Sequence, residues 1–384
     1  SYYGYDNDII HNKIINNNYG IRIDRSNSNT IKNNNITNND AYGIYIEGTS
    51  QNNEIYNNIL NNTQNAKETT NANIWNTTLD CTGETNIMGG PCLGGNFWND
   101  YAGLDTDLDG IGDTRIPYNN GLINGDYLPL VNPPTIITTD TILTEDHLNI
   151  PYHGYVIQAD DITLDCQGHT IQGTKTTGSY GIVIDNKDNV IIKNCNIQNF
   201  TIGIITSGSR NSIINNNTIE NNTYFGISLT YLMDYKLTIT NNTIRNNIYG
   251  INLGNIRLSN IENNTIELNE KGIKTCDLHT KTNTIQNNTI QNNEEEGILS
   301  YYGYDNDIIH NKIINNNYGI RIDRSNSNTI KNNNITNNDA YGIYIEGTSQ
   351  NNEIYNNILN NDRNAKETTN ANIWNTTLDC TGET

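Results

Sequence analysis

Apolar and polar residues alternate in short runs that recur along the chain, and each run opens with a Gly-Ile pair. In the run from Gly226 to Leu229, one serine separates isoleucine from leucine, which is the period-2 pattern of a strand with one buried face. The regular pairs begin at Gly181, Gly203, Gly226, Gly250, Gly272, Gly297, Gly319 and Gly342. Their intervals of 22 to 25 residues, which average 23, indicate a solenoid.

A second group of isoleucines follows each run, in pairs such as Ile192 and Ile197, with Asn-Asn sequences between and after them. No segment has helical apolar spacing. Two or three short strands in about 23 residues form one turn of a parallel β-helix, whose successive turns stack about 4.8 Å apart. The pattern predicts an all-β fold with isoleucine columns inside and asparagine ladders at the corners. It also predicts that Tyr318 lies directly beside Tyr341.

Charge narrows the range of partners. The chain has 22 Lys and Arg residues against 42 Asp and Glu residues, a net charge of -20, which disfavours nucleic acid and anionic membranes. No run of 18 apolar residues occurs, so no membrane span is predicted. The chain opens at Ser1 within the repeat pattern, so we expect any targeting segment to lie outside this sequence.

Six cysteines lack the spacing of metal ligands. Cys81 and Cys92 flank a glycine-rich loop, and Cys166 and Cys195 could be neighbours on stacked turns, so each pair could form a disulfide. Buried free thiols are the alternative for both pairs. Asn-X-Ser/Thr sequons are dense and favour an exported, glycosylated surface. The candidate sites are Asn35, Asn76, Asn199, Asn216, Asn241, Asn263 and Asn287.

The two ends of the chain carry nearly the same sequence. Residues 300–384 repeat residues 1–85, except that Thr63 becomes Asp362 and Gln64 becomes Arg363. We therefore expect a module of about 299 residues, with this chain a window across a tandem array; a chain made with overlapping ends is the alternative. The predicted organisation ends a first module at 1–85 and places a Gly-, Asp- and Tyr-rich linker or cap at 86–133. A second module follows at 134–384, with an N-terminal cap at 134–180, regular turns at 181–361 and the start of the next linking segment at 362–384.

One stretch of the linker block has the composition of a calcium loop. Carboxylates stand at positions 1, 3, 5 and 9, glycine at position 6, and a backbone carbonyl is available at position 7. Ile116 replaces the usual glutamate at position 12, and Asp100 or Asp126 could complete the shell. A plain Asp-Gly turn is the alternative interpretation. The predicted calcium ligands are Asp105, Asp107, Asp109, Ile111 and Asp113.

Several segments resemble NosD-like β-helix repeat proteins of archaeal cell surfaces. Residues 162–171 resemble the start of such modules, and the segments that resemble a module end are 73–76, 86–91, 94–101, 109–113 and 126–130. The resemblance covers essentially the whole chain and implies a right-handed parallel β-helix. It leaves the function open, because the family includes surface proteins, sugar-binding proteins and a copper-site maturation factor.

Copper handling would need clusters of Met, His or Cys, whereas the chain has only Met88 and Met233 and scattered histidines. A polysaccharide lyase or hydrolase would need paired carboxylates or a carboxylate beside a basic residue on one face. The nearest candidates are Asp160, Asp161 and Asp165, with Lys187 and Arg210 farther along. Adjacent strand residues face opposite ways, so we expect no enzyme, although a lyase or hydrolase stays open.

The sequence therefore favours a structural extracellular repeat protein. Near-verbatim copies suit a fibre or lattice, because each module can make the same contact with the next. We expect an archaeal surface filament or surface layer, adhesive in some settings, with copies of the same chain as partners. Carbohydrate binding through exposed tyrosine and asparagine is the alternative.

Overall fold

The computed structural model describes residues 1–70, 72–101, 103, 105, 107, 109–113, 118–230, 236–277 and 279–375. These residues form strands, turns and bends, without an α-helix. No helix long and apolar enough to cross a membrane occurs in this part of the chain. The chain divides into two compact units, Ser1–Pro134 and Thr135–Thr384.

The first unit stacks its strands in three parallel sheets, with the orders β1-β4-β7, β2-β5-β8-β10 and β3-β6-β9. Each turn of the chain contributes one strand to each sheet. The strands are β1 (Asp8–Ile10), β2 (Lys13–Ile15), β3 (Tyr19–Asp24), β4 (Thr30–Lys32), β5 (Asn35–Thr37), β6 (Tyr42–Glu47), β7 (Glu54–Tyr56), β8 (Ile59–Asn61), β9 (Ala66–Glu68) and β10 (Phe97–Trp98).

The second unit repeats this plan in one 11-stranded and two 10-stranded parallel sheets, each joining every third strand. We call the 11-stranded sheet, which contains β11, β14 and every third strand to β41, the long sheet. The strands are β11 (Thr135–Ile137), β12 (Thr141–Ile142), β13 (His147–Ile150), β14 (Tyr155–Ile157), β15 (Thr163–Asp165), β16 (Thr170–Gly173), β17 (Tyr180–Asp185), β18 (Ile191–Lys193), β19 (Asn196–Gln198), β20 (Ile202–Ser207), β21 (Ile213–Asn215), β22 (Thr218–Glu220), β23 (Phe225–Thr230), β24 (Thr238–Thr240), β25 (Thr243–Arg245), β26 (Tyr249–Gly254), β27 (Asn260–Glu262), β28 (Thr265–Glu267), β29 (Lys271–Cys276), β30 (Thr284–Gln286), β31 (Thr289–Gln291), β32 (Glu296–Tyr301), β33 (Asp307–Ile309), β34 (Lys312–Ile314), β35 (Tyr318–Asp323), β36 (Thr329–Lys331), β37 (Asn334–Thr336), β38 (Tyr341–Glu346), β39 (Glu353–Tyr355), β40 (Ile358–Asn360) and β41 (Ala365–Glu367).

Isoleucines from all three sheets fill the interior of each unit. Ile273, Ile285 and Ile290, one from each strand of a single turn, are fully buried, and their counterparts in the next turn are Ile298, Ile308 and Ile313. This arrangement confirms the predicted parallel β-helix and its isoleucine columns. The predicted neighbours Tyr318 and Tyr341 are also in register.

The recurring glycines form a column because the backbone of the next turn passes too close for a side chain. A Cβ atom at Gly250 would lie 2.6 Å from the carbonyl oxygen of Gly272, and one at Gly272 would lie 2.4 Å from that of Gly297. Any other residue would push neighbouring turns apart. The Gly-Ile signature therefore follows from the stacking distance.

A sharp corner separates the two short strands of each turn. The sequence pattern allowed two or three strands in a turn, so these two strands could have been one. Ile192 lies in β18 and Ile197 in β19, and Asn194 between them has a φ of 56°. Asparagine adopts this left-handed conformation more readily than most residues, which explains why it recurs at the corners.

Buried asparagines join the turns in ladders that run along the stack. In one ladder, Asn242 donates from both its backbone and side-chain nitrogen atoms to Oδ1 of Asn264, at 2.9 and 3.0 Å, and Asn264 donates likewise to Asn288. Most of these side chains also reach a backbone carbonyl of the previous turn, such as that of Ile239 for Asn264. The ladders thus satisfy polar groups that the corners would otherwise leave buried without partners.

The regular stack extends beyond the boundaries expected from the sequence. Residues 134–180, expected as a cap, supply β11 to β16 of the same three sheets, and residues 362–367, expected as linker, include β41. Residues 86–133, expected as a separate block, belong to the first unit.

Candidate functional site

Residues 72–133, which we call the closing block, cover the last turn of the first unit. Phe97 and Trp98 in β10 pair with Ile59 and Leu60 in β8. The Trp98 ring lies 4.0 Å from the Tyr118 ring and 5.7 Å from that of Trp75, measured between ring centroids. All three aromatic side chains are buried. The block therefore has an aromatic core of its own that continues the isoleucine column.

The three asparagine ladders of the first unit each end on a carboxylate, two of which belong to the closing block. Asn73 donates Nδ2 to Oε1 of Glu68 at 2.8 Å, the backbone N–H of Asn96 donates to Oδ2 of Asp126 at 2.7 Å, and Asn65 donates Nδ2 to Oδ1 of Asp100 at 2.7 Å. Every ladder amide donates toward the next turn, so the last turn presents unused donors. Carboxylates accept hydrogen bonds without donating any, so they suit this end of the stack.

Asp126 is the most deeply buried of these carboxylates, with no exposed surface. Its Oδ2 also accepts from Nε1 of Trp98 at 2.8 Å, and its Oδ1 accepts from the backbone N–H of Leu128 at 3.0 Å. Burial raises the pKa of Asp126 to about 7, against the opposing effect of these hydrogen bonds. Asp126 therefore titrates near neutral pH inside the closing block.

The same Glu-Asn-Trp arrangement recurs near the end of the second unit. Glu367 accepts from Nδ2 of Asn372 at 2.8 Å and from Nε1 of Trp374 at 2.6 Å. Trp374 is half-buried, whereas its counterpart Trp75 is fully buried within the closing block.

The predicted calcium loop brings three of its carboxylates together. Oxygen atoms of Asp105, Asp107 and Asp109 lie within 4.8 Å of one another. Burial and the charges of Asp107 and Asp113 raise the pKa of Asp109, while its hydrogen bond from the Ile111 N–H opposes the shift. Asp113 Oδ2 accepts from the Asp107 N–H at 3.3 Å, so it also lies at the loop. Ile116 lies outside the described residues.

The Ile111 side chain points away from this loop into a small core. It packs with Cys92 and Leu130, which are buried like Ile111 itself. The backbone of Ile111 remains at position 7, and Gly110 before it has a φ of 86°. The sharp turn expected at this glycine is therefore present.

Two disulfides join the predicted cysteine pairs. Cys81 and Cys92 are bonded across 11 residues with their Cα atoms 4.1 Å apart, and Cys166 and Cys195 are bonded across 29 residues at 4.7 Å. The first lies beside the carboxylate loop, because the backbone N–H of Cys92 donates to the carbonyl of Asp109 at 3.1 Å. Cys276 is a free, half-buried thiol, and Cys380 lies outside the described residues.

The sequon asparagines divide by their position in the turn. Asn216, Asn241, Asn263 and Asn287 are exposed at one corner of four consecutive turns. Asn35 is half-buried within β5 and has a buried Oδ1, and Asn76 is half-buried with Nδ2 bonded to the Thr77 carbonyl. Asn199 is also half-buried, at a different corner with a φ of 62°.

A cluster of three stacked tyrosines occurs once in each unit, and we call these clusters the tyrosine triads. They are Tyr19, Tyr42 and Tyr45 in the first unit and Tyr318, Tyr341 and Tyr344 in the second. Ring centroids lie 5.4 to 6.2 Å apart in the first triad. The corresponding range in the second is 5.3 to 6.2 Å. Sequence reasoning found only the Tyr318–Tyr341 pair, although the repeated Tyr-Gly-Ile-Tyr motif carried the signal for the third ring.

Charged side chains surround the second triad. The Arg321 guanidinium lies 5.7 Å from the Tyr318 ring, and Arg363 lies 5.4 Å from the Tyr341 ring, where the first triad has the neutral Gln64. Arg321 also bonds Oε1 of Glu296 at 2.8 Å and pairs with Glu346. Glu296 is almost fully buried on the outer face of the long sheet, between Arg321 and Lys271.

The carboxylates considered for an enzyme do not form a pair with one another. Asp160 Oδ1 accepts from the Asp188 N–H at 2.8 Å, Asp161 Oδ1 accepts from Nδ2 of Asn189 at 2.7 Å, and Asp165 bonds Asn194 and Lys193. The hydrogen bond from Asn194 and the nearby Lys193 lower the pKa of Asp165. Each carboxylate joins one turn to the next, and Arg210 donates its backbone N–H to Asp188 in the same way.

Comparison with protein families assigns this architecture. The profile described as periplasmic copper-binding protein (NosD) matches residues 1–103 and 235–383, and the profile of a right-handed β-helix region matches residues 149–279. This chain belongs to the NosD family. The matches confirm the right-handed parallel β-helix and the NosD-like resemblance. A search of curated proteins found no match.

The family description names copper. The described residues of this NosD family member form two clusters of possible metal ligands, and neither cluster suits copper. One cluster consists of Asp105, Asp107 and Asp109, and the other of Cys81, Cys92 and Asp109. Carboxylates suit hard cations, and the two sulfur atoms of the second cluster are bonded to each other. We therefore derive no copper chemistry for this chain.

Solved structures that are similar to this chain include enzymes and a tailspike protein. The A-module of mannuronan C-5 epimerase AlgE4 from Azotobacter vinelandii is 14% identical over 64% of this chain and 81% of that chain, with a TM-score of 0.44. DFA-IIIase from Arthrobacter chlorophenolicus A6, without its lid, is 10% identical over 64% and 82%, with a TM-score of 0.47. The Dettilon tailspike protein is 15% identical over 59% and 54%, also with a TM-score of 0.47.

Two of these similar structures correct one expectation from the sequence. We expected no enzyme, while leaving a lyase or hydrolase open, yet both of these proteins are enzymes. The expectation of no enzyme is therefore withdrawn. At these identities the likeness gives the fold and assigns no activity.

Proposed function

We propose that this protein is a structural repeat protein of the cell exterior whose units bind further copies of the same chain. The observation that carries the proposal is that one surface occurs twice. Strands β1 to β9 and β33 to β41 contain corresponding residues, and each set carries one tyrosine triad. A surface that recurs on every unit can make the same contact repeatedly, as a fibre or lattice requires.

The composition of the triads supports a role in protein contacts. Tyrosine and arginine are enriched in protein interfaces, because they combine a large apolar area with hydrogen-bonding groups. The triad rings are half-buried and carry arginine or lysine beside them. In an acidic chain, this local concentration of cations suits contact with an acidic surface of another copy.

Two disulfides support a location outside the reducing cytoplasm. The family description gives a periplasmic setting for its namesake. We extend this to an extracellular, cell-surface protein, and to a filament or surface layer of an archaeal cell as the assembly. The repetition of the surface within the chain is the reason for preferring an assembly over a single copy.

Sedimentation velocity of the full chain over a range of concentrations tests the assembly. We expect association that weakens when Tyr42→Ser and Tyr341→Ser are combined, since the change removes one ring from each triad. Tyr127→Ser is the matched control, because Tyr127 is exposed and belongs to neither triad. A monomer at every concentration, with no fibre or sheet in micrographs of native material, would contradict the proposal.

We propose in addition that the carboxylate loop binds calcium through Asp105, Asp107, Asp109, Asp113 and the Ile111 carbonyl. The support is the convergence of three carboxylates whose mutual repulsion a divalent cation would relieve. Titration calorimetry with calcium chloride should show binding that Asp107→Asn weakens and that Asp40→Asn, at an exposed acid outside the loop, leaves unchanged. No heat of binding and no calcium-dependent rise in unfolding temperature would refute this proposal.

Carbohydrate binding is a second candidate function. It is favoured by a row of polar and aromatic side chains on the outer face of the long sheet, at one residue per strand: Tyr249, Lys271, Glu296, Tyr318 and Tyr341. The tyrosine hydroxyl groups could contact sugars of an extended glycan, whereas the Glu296 carboxylate is buried in its ion pairs with Lys271 and Arg321. A glycan array with the full chain separates the two candidates, because retention of a polysaccharide that Tyr318→Ser abolishes would favour this one.

A further inference from the structure

Four of the sequons occupy equivalent positions in four consecutive turns of the second unit. In each, the sequon asparagine stands at the corner, a ladder asparagine follows, and a threonine opens the next strand: Thr218 in β22, Thr243 in β25, Thr265 in β28 and Thr289 in β31. The corner residues are Asn216, Asn241, Asn263 and Asn287. We call these four the sequon column.

The fold does not require threonine at this position. The strand residues in register with the four threonines include Asn196, Lys312, Asn334 and Ile358 in other turns. The corner itself accepts His310, which has a φ of 56° like its asparagine counterparts. A sequon at this particular corner is therefore a feature of these four consecutive turns, beyond what the repeat needs.

The corner asparagines lie at the surface, where Nδ2 of Asn216 donates to Oδ1 of Asn194 at 2.7 Å and Nδ2 of Asn241 donates to Oδ1 of Asn215 at 3.1 Å. The four φ values are 55°, 57°, 56° and 54°, and all four residues are exposed. The backbone N–H of each donates to a carbonyl of the following turn, as Asn241 does to Glu262 and Asn263 to Gln286, both at 3.3 Å. The asparagines therefore rise in single steps of one strand layer, about 4.8 Å.

We propose that the sequon column carries N-linked glycans on non-neighbouring turns, so that at most two of its four asparagines are modified in one folded molecule. The donor is an oligosaccharide joined through a diphosphate to a lipid. The asparagine Nδ2 forms a bond to the anomeric carbon of the first sugar as the bond from that carbon to the diphosphate oxygen breaks. The lipid diphosphate leaves with the electron pair, and Nδ2 loses one proton to solvent.

Spacing sets the limit of two glycans. A sugar ring with its substituents is wider than one strand layer, so glycans on adjacent turns would overlap close to their attachment points. Skipping one turn doubles the separation to about 9.6 Å. The compatible pairs are Asn216 with Asn263, Asn216 with Asn287, and Asn241 with Asn287.

Three of the seven candidate sequons lack this exposure. Asn35 lies within a strand with a buried side-chain oxygen, and Asn76 and Asn199 are half-buried. These three stay unmodified in the folded chain. The column thus separates the seven candidate asparagines into two classes.

The arginine positions allow a direct test with the full chain, secreted from a cell that performs N-glycosylation. Cleavage after arginine yields one peptide, 211–245, that contains both Asn216 and Asn241, and another, 258–321, that contains both Asn263 and Asn287. Glycosidase release in ¹⁸O water followed by fragmentation in the mass spectrometer then locates the modified asparagines within each peptide, which separates the column positions from a further sequon at Asn221 in the first peptide. We expect glycan on the column, and no peptide modified at both of its column asparagines.

A competition between neighbours provides the second readout. Thr243→Val removes the sequon of Asn241 while keeping a β-branched residue in β25, so occupancy of Asn216 and Asn263 should rise above that of the unaltered chain. Asn332→Gln, at a corner without a sequon, should change nothing. Absence of glycan from all four asparagines, or a peptide carrying glycans at both column positions, would overturn the proposal.

Discussion

Asn58 donates its Nδ2 to Oδ1 of Asn96 at 2.9 Å, although 38 residues separate the two asparagines. Neighbouring ladder asparagines elsewhere lie 20 to 25 residues apart in most steps, one turn of the stack. Asn96 thus lets the irregular closing block take the place of a regular turn. The ladder, like the isoleucine column, passes into the block and ends at Asp126.

The pH dependence of the first unit should reveal Asp126. Its folded pKa of about 7 is above the usual value for aspartate, so between pH 4 and 7 the folded state holds a proton that the unfolded state has lost. Raising the pH through this window should therefore lower the free energy of unfolding. Trp374→Phe leaves Trp75 and Trp98 as the only tryptophans, so urea unfolding followed by tryptophan fluorescence reports on this unit.

Asp126→Asn should abolish this dependence of the free energy of unfolding on pH, because asparagine does not titrate. Asp40→Asn is the control at an exposed carboxylate and should keep it. An unchanged slope in Asp126→Asn would show that another group titrates.

His153 should give the second unit the opposite pH dependence. Burial lowers its pKa to about 4, and its Nδ1 accepts from the Tyr180 N–H at 3.1 Å. Between pH 6.5 and 4 the unfolded state binds a proton that the folded state excludes, so stability should fall as the pH falls. Hydrogen exchange of the peptides that cover β14 and β17, corrected for intrinsic rates, measures the effect. It should shrink in His153→Gln and persist in His310→Asn, where asparagine is the usual corner residue.

Two glycines of one strand should respond differently to alanine. A Cβ at Gly250 would lie 2.6 Å from the Gly272 oxygen and 2.8 Å from Cγ2 of Ile266, whereas one at Gly254 would meet nothing nearer than 3.3 Å. Gly250→Ala should lower the free energy of unfolding by about 1–3 kcal/mol through overpacking. Gly254→Ala should change it by less than about 0.5 kcal/mol. Equal effects in urea unfolding would argue against the close approach of the turns.

A ladder asparagine should matter far more than its exposed neighbour. Asn264→Ala leaves the buried N–H groups of Asn242 without their acceptor and the Ile239 carbonyl without its donor. Each unsatisfied group costs about 1–3 kcal/mol, so the loss should reach at least about 2 kcal/mol. Asn263→Gly, which keeps the left-handed corner, should stay within about 0.5 kcal/mol in unglycosylated protein. Calorimetric unfolding compares the two, and a mild Asn264→Ala would mean that the turns do not depend on the ladder.

The repeated parts of this fold could be predicted residue by residue. The Gly-Ile interval gave the turn length, the alternation at Ile227 and Leu229 gave the buried face, and the Asn-Asn pairs gave the corners. These signals are local, because the alternation of residues along a strand determines which side chains lie on each of its two faces. The two short strands around Asn194 were harder to separate, since only the backbone angle of that residue divides them.

The candidate sites depended on contacts between distant segments. Nothing in the sequence near Asp126, Asp100 or Glu68 indicates that each ends a ladder. The closing block has no repeat period, so the sequence does not predict which of its residues contact the last turn. The alignment of the four sequons likewise depended on the register of their turns, which intervals of 22 to 25 residues leave undetermined at any one corner.

The sequence by itself determined the solenoid, its isoleucine interior and the duplication of its turns, because a constant turn length repeats one set of local preferences. Only the tertiary structure decided how the first stack is closed, which carboxylates accept its last donors and which asparagines form one exposed column. Those outcomes rest on packing and hydrogen bonds between residues far apart in the chain, whose partners no local pattern specifies.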